Sequence, residues 1–369
     1  MPVLTVNSGS TSVKLALYDV SPPEGPVRLA IERHSGTRLD AVALLRALRA
    51  RLPSPPEAIA HRIVHGGTRF VHPTRLDPDV LAAIETLSPL APLHNPEGLR
   101  WVRAAREVYG TQLPQLAVFD TAFFARLPRV AAEYALAPQL GSDRGVRRYG
   151  FHGLAHEAMW RRWCSWYPQL PRGGRLITLQ LGGGCSIAAI DRGTPLDTSM
   201  GFSPLEGLMM ATRSGDVDAA IVPYLERQLH KTGDEVIELL NVGSGLAGVA
   251  GSNADPAELL TNPAPDALFA VELYCYRIRK YVGAYLAVLG GCDGIVFGGG
   301  VGEHVPAVRA RALSGLAWAG IALDAPRNEA ARRGDAAIGD AGEAVKIHVV
   351  AVDEELVLAR AAGEALRQS

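Results

Sequence analysis

The chain has 369 residues, which predicts about two domains because a typical domain holds roughly 150 residues. Hydrophobic residues make up 48% and charged residues 20%, an ordinary globular composition that excludes intrinsic disorder over most of the chain. The formal net charge of -1 provides no overall field to attract nucleic acid or an anionic membrane. Any anion site must therefore rest on a few locally placed groups.

The cysteines and the N-terminal segment indicate the cell compartment in which the protein is expected. Four scattered cysteines with no C-x-x-C pair disfavour a disulfide framework and favour a reducing compartment. The opening MPVLTVNSGS lacks a basic region followed by a long apolar run, and no apolar stretch reaches the about 18 residues of a membrane span. We therefore expect a cytoplasmic protein with no nucleic-acid or membrane partner.

The chain opens on a predicted strand, turn and second strand. Residues 3–6 and 13–18 are short β-prone runs, and the segment 7–12 between them consists of Asn, Ser, Gly and Thr. Further along, the apolar spacing of 40–52 predicts a helix. The proline cluster that follows this helix predicts a surface loop.

Two later apolar runs, 58–64 and 115–119, predict strands that end in polar residues. In open α/β sheets the ligand crevice lies outside the carboxyl ends of the strands. This rule makes Arg62, His65 and Asp120 candidate site residues. The competing explanation is that each of these residues is an ordinary polar residue of a surface loop.

The opening pattern recurs in the second half of the chain. Runs at 176–181 and 187–190 flank a glycine-rich turn at 182–186, which again predicts a strand, turn and strand. The repeat predicts two α/β domains that each supply one phosphate-facing hairpin, although two hairpins can also resemble each other by chance. The remaining predictions are helices at 267–289 and 305–317, a strand at 294–297 and a glycine loop at 298–302.

Three predicted glycine turns follow predicted strands, at 7–12, 182–186 and 298–302. Glycine tolerates positive φ and lets backbone amides approach an anion without a Cβ in the way. A strand, glycine loop and helix junction aims such amides at an anion. An ordinary tight turn explains any one of them, but together they predict a polyphosphate held between two domains.

Three familiar ligand motifs are absent, misplaced or incomplete. No G-x-x-x-x-G-K-[ST] string occurs, which excludes a P-loop. The G-x-G-x-x-G string at 243–248 follows a helical segment, whereas a dinucleotide fingerprint follows a strand, so we interpret it as a turn. His152 and His156 are four residues apart, but Gly153 stands where a zinc hydrolase needs its Glu, so this pair is not expected to bind metal.

The remaining candidates fit the needs of phosphoryl transfer. That chemistry requires positive or hydrogen-bonding groups at the transferred oxygens and carboxylates for a metal ion. Arg62, Arg213 and His152 fit the first need. Asp120 and Glu354 fit the second.

Nine strings in fixed order resemble the acetate kinase family, within the superfamily of sugar kinases, chaperones and actin ATPases. They are VNSGSTSVK at 6–14, HRIVHGG at 61–67, LAPLHNP at 90–96, VFDTAF at 118–123, YGFHGLAH at 149–156, SMGFSPLEGL at 199–208, ATRSGDVD at 211–218, VFGGGVGE at 296–303 and DEELVLAR at 353–360. The resemblance implies an α/β fold: two domains of duplicated ribonuclease H-like, actin-like ATPase βββαβαβα architecture with an interdomain cleft. The implied first domain is 1–122 plus the returning tail 354–369, and the second is 123–353.

The resemblance also implies a reaction and a set of site residues. The reaction is direct in-line phosphoryl transfer from ATP to acetate, reversibly giving acetyl phosphate and ADP, with Mg²⁺ as cofactor and Mn²⁺ as a substitute, in a homodimer. The implied catalytic residues are Asp120, His152, Arg213 and Arg62, and the implied acetate pocket is Arg62, Val64, Leu93, Phe151 and Pro204. The implied nucleotide residues are Lys14, Ser10, Ser12, Gly182, Gly183, Gly184, Asp255, Gly299, Gly300 and Gly302, and the implied metal residues are Asn7 and Glu354.

Three positions depart from the family pattern. Gly183 replaces an Asn in the second phosphate turn, Ala257 stands where the family has an Arg near the adenosine, and Phe124 replaces a His. Two of these changes remove polar groups on the donor side, which leaves pyrophosphate or another nucleotide open as the donor. The sequence also leaves open a kinase for propionate or another short acyl acid, and a catalytically silent nucleotide-binding regulator.

Overall fold

In the computed structural model, which describes residues 1–9, 12–36, 39–92 and 94–368, the chain divides into two units. The first unit comprises 1–125, 151–158 and 353–368, and the second comprises 126–150 and 159–352. The sequence-based ranges, 1–122 plus 354–369 and 123–353, differ from these units mainly at 151–158. That short segment carries His152 and packs with the first unit.

The first unit is built on a six-stranded sheet among its described residues. Its strands are β1 (Pro2–Ser8), β2 (Ser12–Asp19), β3 (Val27–Ser35), β4 (Ala58–Ile63), β5 (Thr74–Arg75) and β6 (Gln115–Phe119). Its helices are α1 (Ala41–Arg49), α2 (Pro78–Thr86), α3 (Asn95–Tyr109), the start of α5 (Gly153–Trp166) and α14 (Glu354–Gln368). Asp40 and Asp77 cap α1 and α2 by accepting hydrogen bonds from backbone amides of the first turn, which fixes where both helices begin.

The second unit contains the rest of α5 and a second six-stranded sheet. Its strands are β7 (Arg175–Leu181), β8 (Cys185–Asp191), β9 (Thr194–Thr198), β10 (Gly294–Gly298), β11 (Ala336–Ala337) and β12 (Lys346–Val349). Its other helices are α4 (Arg129–Ala132), α6 (Ile221–Leu229), α7 (Gly233–Val242), α8 (Gly245–Ala250), α9 (Pro256–Leu259), α10 (Pro265–Leu289), α11 (Gly299–His304), α12 (Pro306–Leu313) and α13 (Ala325–Ala330).

The two sheets share one topology. The first has the order β3-β2-β1-β4-β6-β5, and the second has the matching order β9-β8-β7-β10-β12-β11. In each, an antiparallel three-strand meander continues into two parallel strands, and a two-residue antiparallel strand closes the edge. This confirms the predicted duplicated α/β architecture.

Both faces of the first sheet are covered by helices. Buried residues of α14, such as Leu358 and Ala362, pack on one face of β1, β2, β4 and β6. Leu45 of α1 and Trp101 of α3 pack on the other face. Because parallel strands covered on both faces are held rigidly, the loops at their carboxyl ends have fixed positions.

Two local predictions need correction or refinement. The predicted glycine loop at 298–302 is wrong in form, because Gly298 ends β10 and α11 begins at once at Gly299. The 243–248 string does follow a helix, but its interpretation as a turn is wrong for its later residues, which form the start of α8. No helix in the described part of the chain is long and apolar enough to cross a bilayer.

Candidate active site

Four predicted site residues lie together in the first unit. Asn7 is near the end of β1, Arg62 is near the end of β4, and Asp120 directly follows β6. Glu354 is the first residue of α14, which packs on the same sheet. The parallel strands β1, β4 and β6 end at one edge, so their last residues converge as the sequence pattern predicted.

Arg62 and Asp120 form a buried bidentate ion pair. Nε of Arg62 donates to both carboxylate oxygens at 3.1 and 3.0 Å, and a second guanidinium nitrogen donates to Oδ2 at 2.6 Å. Burial alone would lower the pKa of Arg62, but the neighbouring carboxylates of Asp120 and Glu354 outweigh burial and raise it. Burial raises the pKa of Asp120 above its usual range, and the charge of Arg62 and its hydrogen bonds oppose that rise.

Asn7 links this pair to the start of α14. Its Oδ1 accepts from Arg62 at 3.1 Å, and its Nδ2 donates to Glu354 and to Glu355 at 2.7 Å each. Lys14, which pairs with Asn7 across β1 and β2, lies 3.5 Å from Glu355. One amide therefore fixes the relative positions of a guanidinium and two carboxylates.

The two adjacent carboxylates of α14 differ in their electrostatics. Burial would raise the pKa of Glu354, but Arg62 and Lys14 outweigh it, so this pKa lies below its usual range. Burial raises the pKa of Glu355 against the opposing effect of Lys14. Sequence reasoning named Glu354 and missed Glu355, although the consecutive acids at the start of a predicted helix were the available signal.

His152 is held beside Asp120 by a steric constraint. It has φ of 57°, a left-handed conformation that is uncommon for residues other than glycine. A Cβ at the next residue, Gly153, would overlap the carbonyl oxygen of Asp120. Only glycine therefore lets α5 begin this close to the end of β6, and this contact holds the backbone of His152 beside that of Asp120.

Two apolar residues of the predicted acetate pocket also lie in the first unit. Val64 is 5% exposed and Phe151 is 1% exposed. Phe151 meets the ring of His65 edge to face, with 5.5 Å between ring centroids. Asn95 holds the backbone of His65 through two hydrogen bonds of 3.0 Å. Burial lowers the pKa of His65 to about 4, so its imidazole ring beside Phe151 is uncharged at neutral pH.

Two predicted residues, Ser10 and Leu93, lie outside the described residues. The predicted donor-side residues Ser12 and Lys14 lie in β2 of the first unit. Lys14 pairs with Glu355, as described above. The carbonyl of Ser12 accepts from the amide of Gly9 at 2.8 Å.

Arg213 and Pro204 lie together in the second unit. One guanidinium nitrogen of Arg213 donates to the Pro204 carbonyl at 3.2 Å, and burial lowers the pKa of this arginine. The loop that carries Arg213 packs against the start of α8. A Cβ at Gly245 would overlap the carbonyl of Met210. The misplaced G-x-G-x-x-G string thus has a structural use in supporting the Arg213 loop.

The second unit also contains a cavity of about 350 Å³, within the roughly 300–1,000 Å³ range of small-molecule sites. It brings together four predicted nucleotide residues, namely Gly182, Gly183, Asp255 and Gly300. The other predicted glycines, Gly184, Gly299 and Gly302, are not among its lining residues. The rest of the lining is Ala211, Ala254, Pro256, Ala257, Val301, His304 and Val305.

Comparison with known proteins shows the family to which the chain belongs. Residues 37–360 match the family model described as the acetokinase family. The chain belongs to the acetokinase family. An acetate kinase from Gloeobacter violaceus is 39% identical, and the match covers 100% of both chains.

Two solved structures are also similar over nearly the whole chain. The acetate kinase of Porphyromonas gingivalis is 36% identical, with a TM-score of 0.89 and coverage of 99% of each chain. A propionate kinase from Francisella tularensis subsp. tularensis is 31% identical, with a TM-score of 0.87 and coverage of 98% of each chain. Membership of the acetokinase family makes this chain a kinase, and the family uses ATP and a divalent metal ion.

The structure places the three departures from the acetokinase pattern. A Cβ at Gly183 would meet nothing within 4 Å, so the missing Asn leaves open space. Ala257 lines the cavity, and its amide donates to the capping carboxylate of Asp255 at 2.9 Å. Phe124 is fully buried and packs edge to face on His156, with centroids 5.6 Å apart. The third departure therefore lies in the apolar core and not among the residues of the described charged cluster.

The charged cluster fits the divalent ion that the acetokinase family uses. Among the described residues, no three His, Cys, Asp or Glu side chains stand in a metal-ligating group. Mg²⁺, however, is usually held by one or two carboxylates plus substrate phosphates and water. The cluster holds more carboxylates than cations, with Asp120, Glu354 and Glu355 against Arg62 and Lys14. The cluster therefore offers the one or two carboxylates that such a site needs.

Proposed function

We propose that this chain is an acetate kinase that transfers the γ-phosphoryl group of ATP to acetate, reversibly giving acetyl phosphate and ADP. The single observation that carries the proposal is the linked cluster of Arg62, Asp120, Asn7 and Glu354 beside His152. Phosphoryl transfer is catalysed mainly by positioning and electrostatic stabilisation, and this cluster supplies preorganised groups for both.

Arg62 is proposed to hold the acceptor. Its contacts with Asp120 and Asn7 use only part of its five N–H donors, so the planar fork retains donors for a carboxylate or phosphoryl oxygen. Asp120 fixes the plane of the guanidinium and keeps it charged. A carboxylate oxygen of acetate attacks the γ-phosphorus, and the bond from that phosphorus to the bridging oxygen of ADP breaks.

His152 and Arg213 are proposed to stabilise the charge that develops on the equatorial oxygens of the transferred group. The left-handed backbone of His152 fits a strained functional position. Burial of Arg213 strengthens its interaction with an anion, because the local dielectric is low. Each donor aimed at such a charge is worth about 10²–10³ in turnover.

Mg²⁺, or Mn²⁺ in its place, is the proposed metal. When bound, the ion neutralises phosphate charge and orients the donor. Glu354 and Asp120 would hold it, directly or through water, while Asn7 positions the carboxylate of Glu354. The glycine-lined cavity of the second unit is the proposed donor site, with Lys14 and Ser12 of the first unit assigned to the donor phosphates.

The proposed acetate pocket sets a mild preference for chain length. Val64 and Phe151 are buried, and Pro204 and Leu93 are assigned to the same pocket by the family pattern. One extra methylene in such a pocket changes specificity by only about 1–3 kcal/mol. We therefore propose acetate as the preferred acid, propionate as a weaker substrate and butyrate as a poor one. A propionate kinase is the second candidate, because a propionate kinase is among the similar structures.

The cell compartment and assembly state also remain proposals. We propose a cytoplasmic location, which agrees with the free thiols of Cys164, Cys185, Cys275 and Cys292. A homodimer is proposed from the family resemblance.

A crossed panel of donors and acids tests this function. ATP, GTP and pyrophosphate are each combined with acetate, propionate and butyrate, and the acyl phosphate is trapped as its hydroxamate. The expected result is most product from ATP with acetate. Higher kcat/KM with propionate selects the second candidate, and product from pyrophosphate alone rejects the nucleotide donor. Nucleotide binding by calorimetry with no acyl phosphate in either direction selects a silent regulator.

A further inference from the structure

A histidine stands at the cavity of the second unit where apolar and glycine residues otherwise predominate. His304 is the last residue of α11 and lines the cavity together with Val301 and Val305. The facing residues Ala254, Pro256 and Ala257 lack side-chain hydrogen-bonding groups. Asp255 has its carboxylate engaged in capping α9. His304 is therefore placed to form a hydrogen bond with the polar edge of a nucleotide base bound in this cavity.

The tautomer of His304 follows from one contact. Nδ1 lies 2.6 Å from the carbonyl oxygen of Arg332. A carbonyl oxygen only accepts hydrogen bonds, so Nδ1 must carry the proton. In a neutral imidazole the other nitrogen, Nε2, is then a hydrogen-bond acceptor. The backbone of Arg332 thereby determines which partner His304 can recognise.

A buried arginine holds this arrangement in place. Arg309 is 0% exposed, and it donates to the carbonyls of Gly302 and Glu303 at 2.8 and 3.0 Å. It also donates to the carbonyls of Asn328 and Ala331 at 2.7 Å each. The first two carbonyls directly precede His304, and the last directly precedes Arg332. Arg309 thus fixes the spacing between the imidazole and the carbonyl that sets its tautomer.

We propose that His304 selects the base of the phosphoryl donor, accepting a hydrogen bond at Nε2 from the exocyclic 6-amino group of an adenine nucleotide. A purine with an oxygen at this position, such as hypoxanthine or guanine, would place a hydrogen-bond acceptor against Nε2, which is also an acceptor. Such a base would be disfavoured. This inference rests on the proposed function, because it assigns the cavity to the nucleotide donor. It makes His304 a specificity-determining residue, with Arg309 as its positioning residue.

ATP and ITP provide the direct test, because their bases differ only in the group at position 6, amino or oxo, and in the proton that the oxo form carries on N1. In the wild-type protein, ATP should have about a tenfold lower KM than ITP, and ADP should bind about tenfold more tightly than IDP by calorimetry. In His304→Phe, which keeps a flat ring but removes the acceptor, both ratios should fall close to one. In His304→Asn both ratios should also approach one, because the amide can turn to offer a donor or an acceptor.

Arg333→Ala is the matched control. It removes an exposed cation next to Arg332 that takes no part in the proposed recognition, so both ratios should stay at the wild-type value. Equal binding of ADP and IDP to the wild-type protein would overturn the inference, as would a full preference for ADP in His304→Phe. Failure of the proposed function has a different signature: a His304-dependent preference for ADP in calorimetry with no acyl phosphate formed from either nucleotide.

Discussion

The charged cluster of the first unit and the cavity of the second unit are built on opposite principles. In the cluster, Arg62, Asp120, Asn7 and Glu354 are joined by direct side-chain hydrogen bonds, and each is buried or nearly so. The cavity is lined mainly by glycine backbone and by small or apolar side chains. One region is built from fixed charges, and the other from glycine backbone and small or apolar side chains.

This difference follows from the sequence of each unit. The meander and parallel strands are duplicated, yet β4 ends in Arg62 and Ile63 whereas the matching strand β10 ends in Gly298. An arginine at a strand end adds a positive charge there, whereas a glycine, which has no Cβ, lets a ligand or another segment approach the backbone closely. The same topology therefore supports two kinds of site. Substitutions in the first region should lower turnover strongly, and those in the second should mainly change KM for the donor.

Replacing Arg62 is the largest expected effect. Arg62→Ala should lower kcat by about 10²–10³, because it removes the guanidinium that is proposed to align the acceptor. It also leaves Asp120 buried without its partner, which costs about 3–5 kcal/mol of stability. Arg62→Lys keeps a cation beside Asp120 but loses the bidentate geometry, so it should retain more stability than activity.

Hydroxamate-trapped acetyl phosphate and urea unfolding measure the two effects separately. Arg106→Ala is the matched control, because Arg106 donates only to the carbonyl of Leu76 among its described side-chain bonds. Its kcat should stay near wild type. Unchanged turnover in Arg62→Ala would remove the cluster from the reaction.

A single methyl group tests the contact that places His152. Gly153→Ala should displace the start of α5 from Asp120, because the added Cβ overlaps the Asp120 carbonyl. We expect a loss of about 2–4 kcal/mol in the free energy of unfolding and a fall in kcat. Gly283→Ala in α10 is the control, since a Cβ there meets nothing within 4 Å, and it should stabilise the protein by about 0.5–1 kcal/mol. Equal stability of the two variants would contradict the proposed constraint.

Acid should destabilise the first unit through His61, which is 1% exposed. Burial lowers the pKa of His61 to about 4 from an ordinary 6.5. The folded form thus binds this proton less readily than the unfolded form, and stability present above pH 6.5 is lost as the pH falls toward 4. The loss is about 3 kcal/mol for one such histidine. His61→Gln should make the plot of unfolding free energy against pH less steep between 6.5 and 4, with part of the slope kept by His65, whose pKa is also lowered to about 4. An unchanged slope would assign the acid sensitivity to other groups.

Restoring the missing donor-side groups is the smallest expected effect. Gly183→Asn places a side chain in open space, and Ala257→Arg adds a cation at an exposed cavity position. Each should lower KM for ATP by up to about tenfold with little change in kcat. Gly300→Ala, also in open space, adds no polar group and serves as the comparison. A large kcat change in the restored variants would show that the two regions are not separable in this way.

Much of the site was predictable because strand-end residues and long motifs point to the same positions. The strand-end rule selected Arg62 and Asp120, and the structure joins them directly. The duplicated sheet was predictable from two hairpins built on the same strand, turn and strand pattern. His152 followed from its motif, and Gly153 beside it has the tight contact that only a structure reveals.

Other features depend on tertiary contacts that leave little trace in a local pattern. Strand β3 was missed because its alternating residues Val27, Leu29 and Ile31 are 43–51% exposed on an edge of the sheet, behind a proline-rich turn. The glycine run at 298–302 was expected to be a loop, but packing of Gly299 against Leu181 lets a helix begin there. Glu355 was missed because its role arises from Asn7, which lies at the other end of the chain.

Phosphorus NMR with acetate labelled by ¹⁸O in its carboxyl group tests the central claim most directly. If a carboxylate oxygen attacks the γ-phosphorus of ATP, the acetyl phosphate formed carries ¹⁸O bonded to phosphorus, and its signal shows the isotopic shift while the γ-phosphate signal of ATP declines. An acetyl phosphate signal without the shift would contradict direct transfer to acetate. The absence of any acetyl phosphate signal with ATP, acetate and Mg²⁺ would contradict the proposed function as a whole.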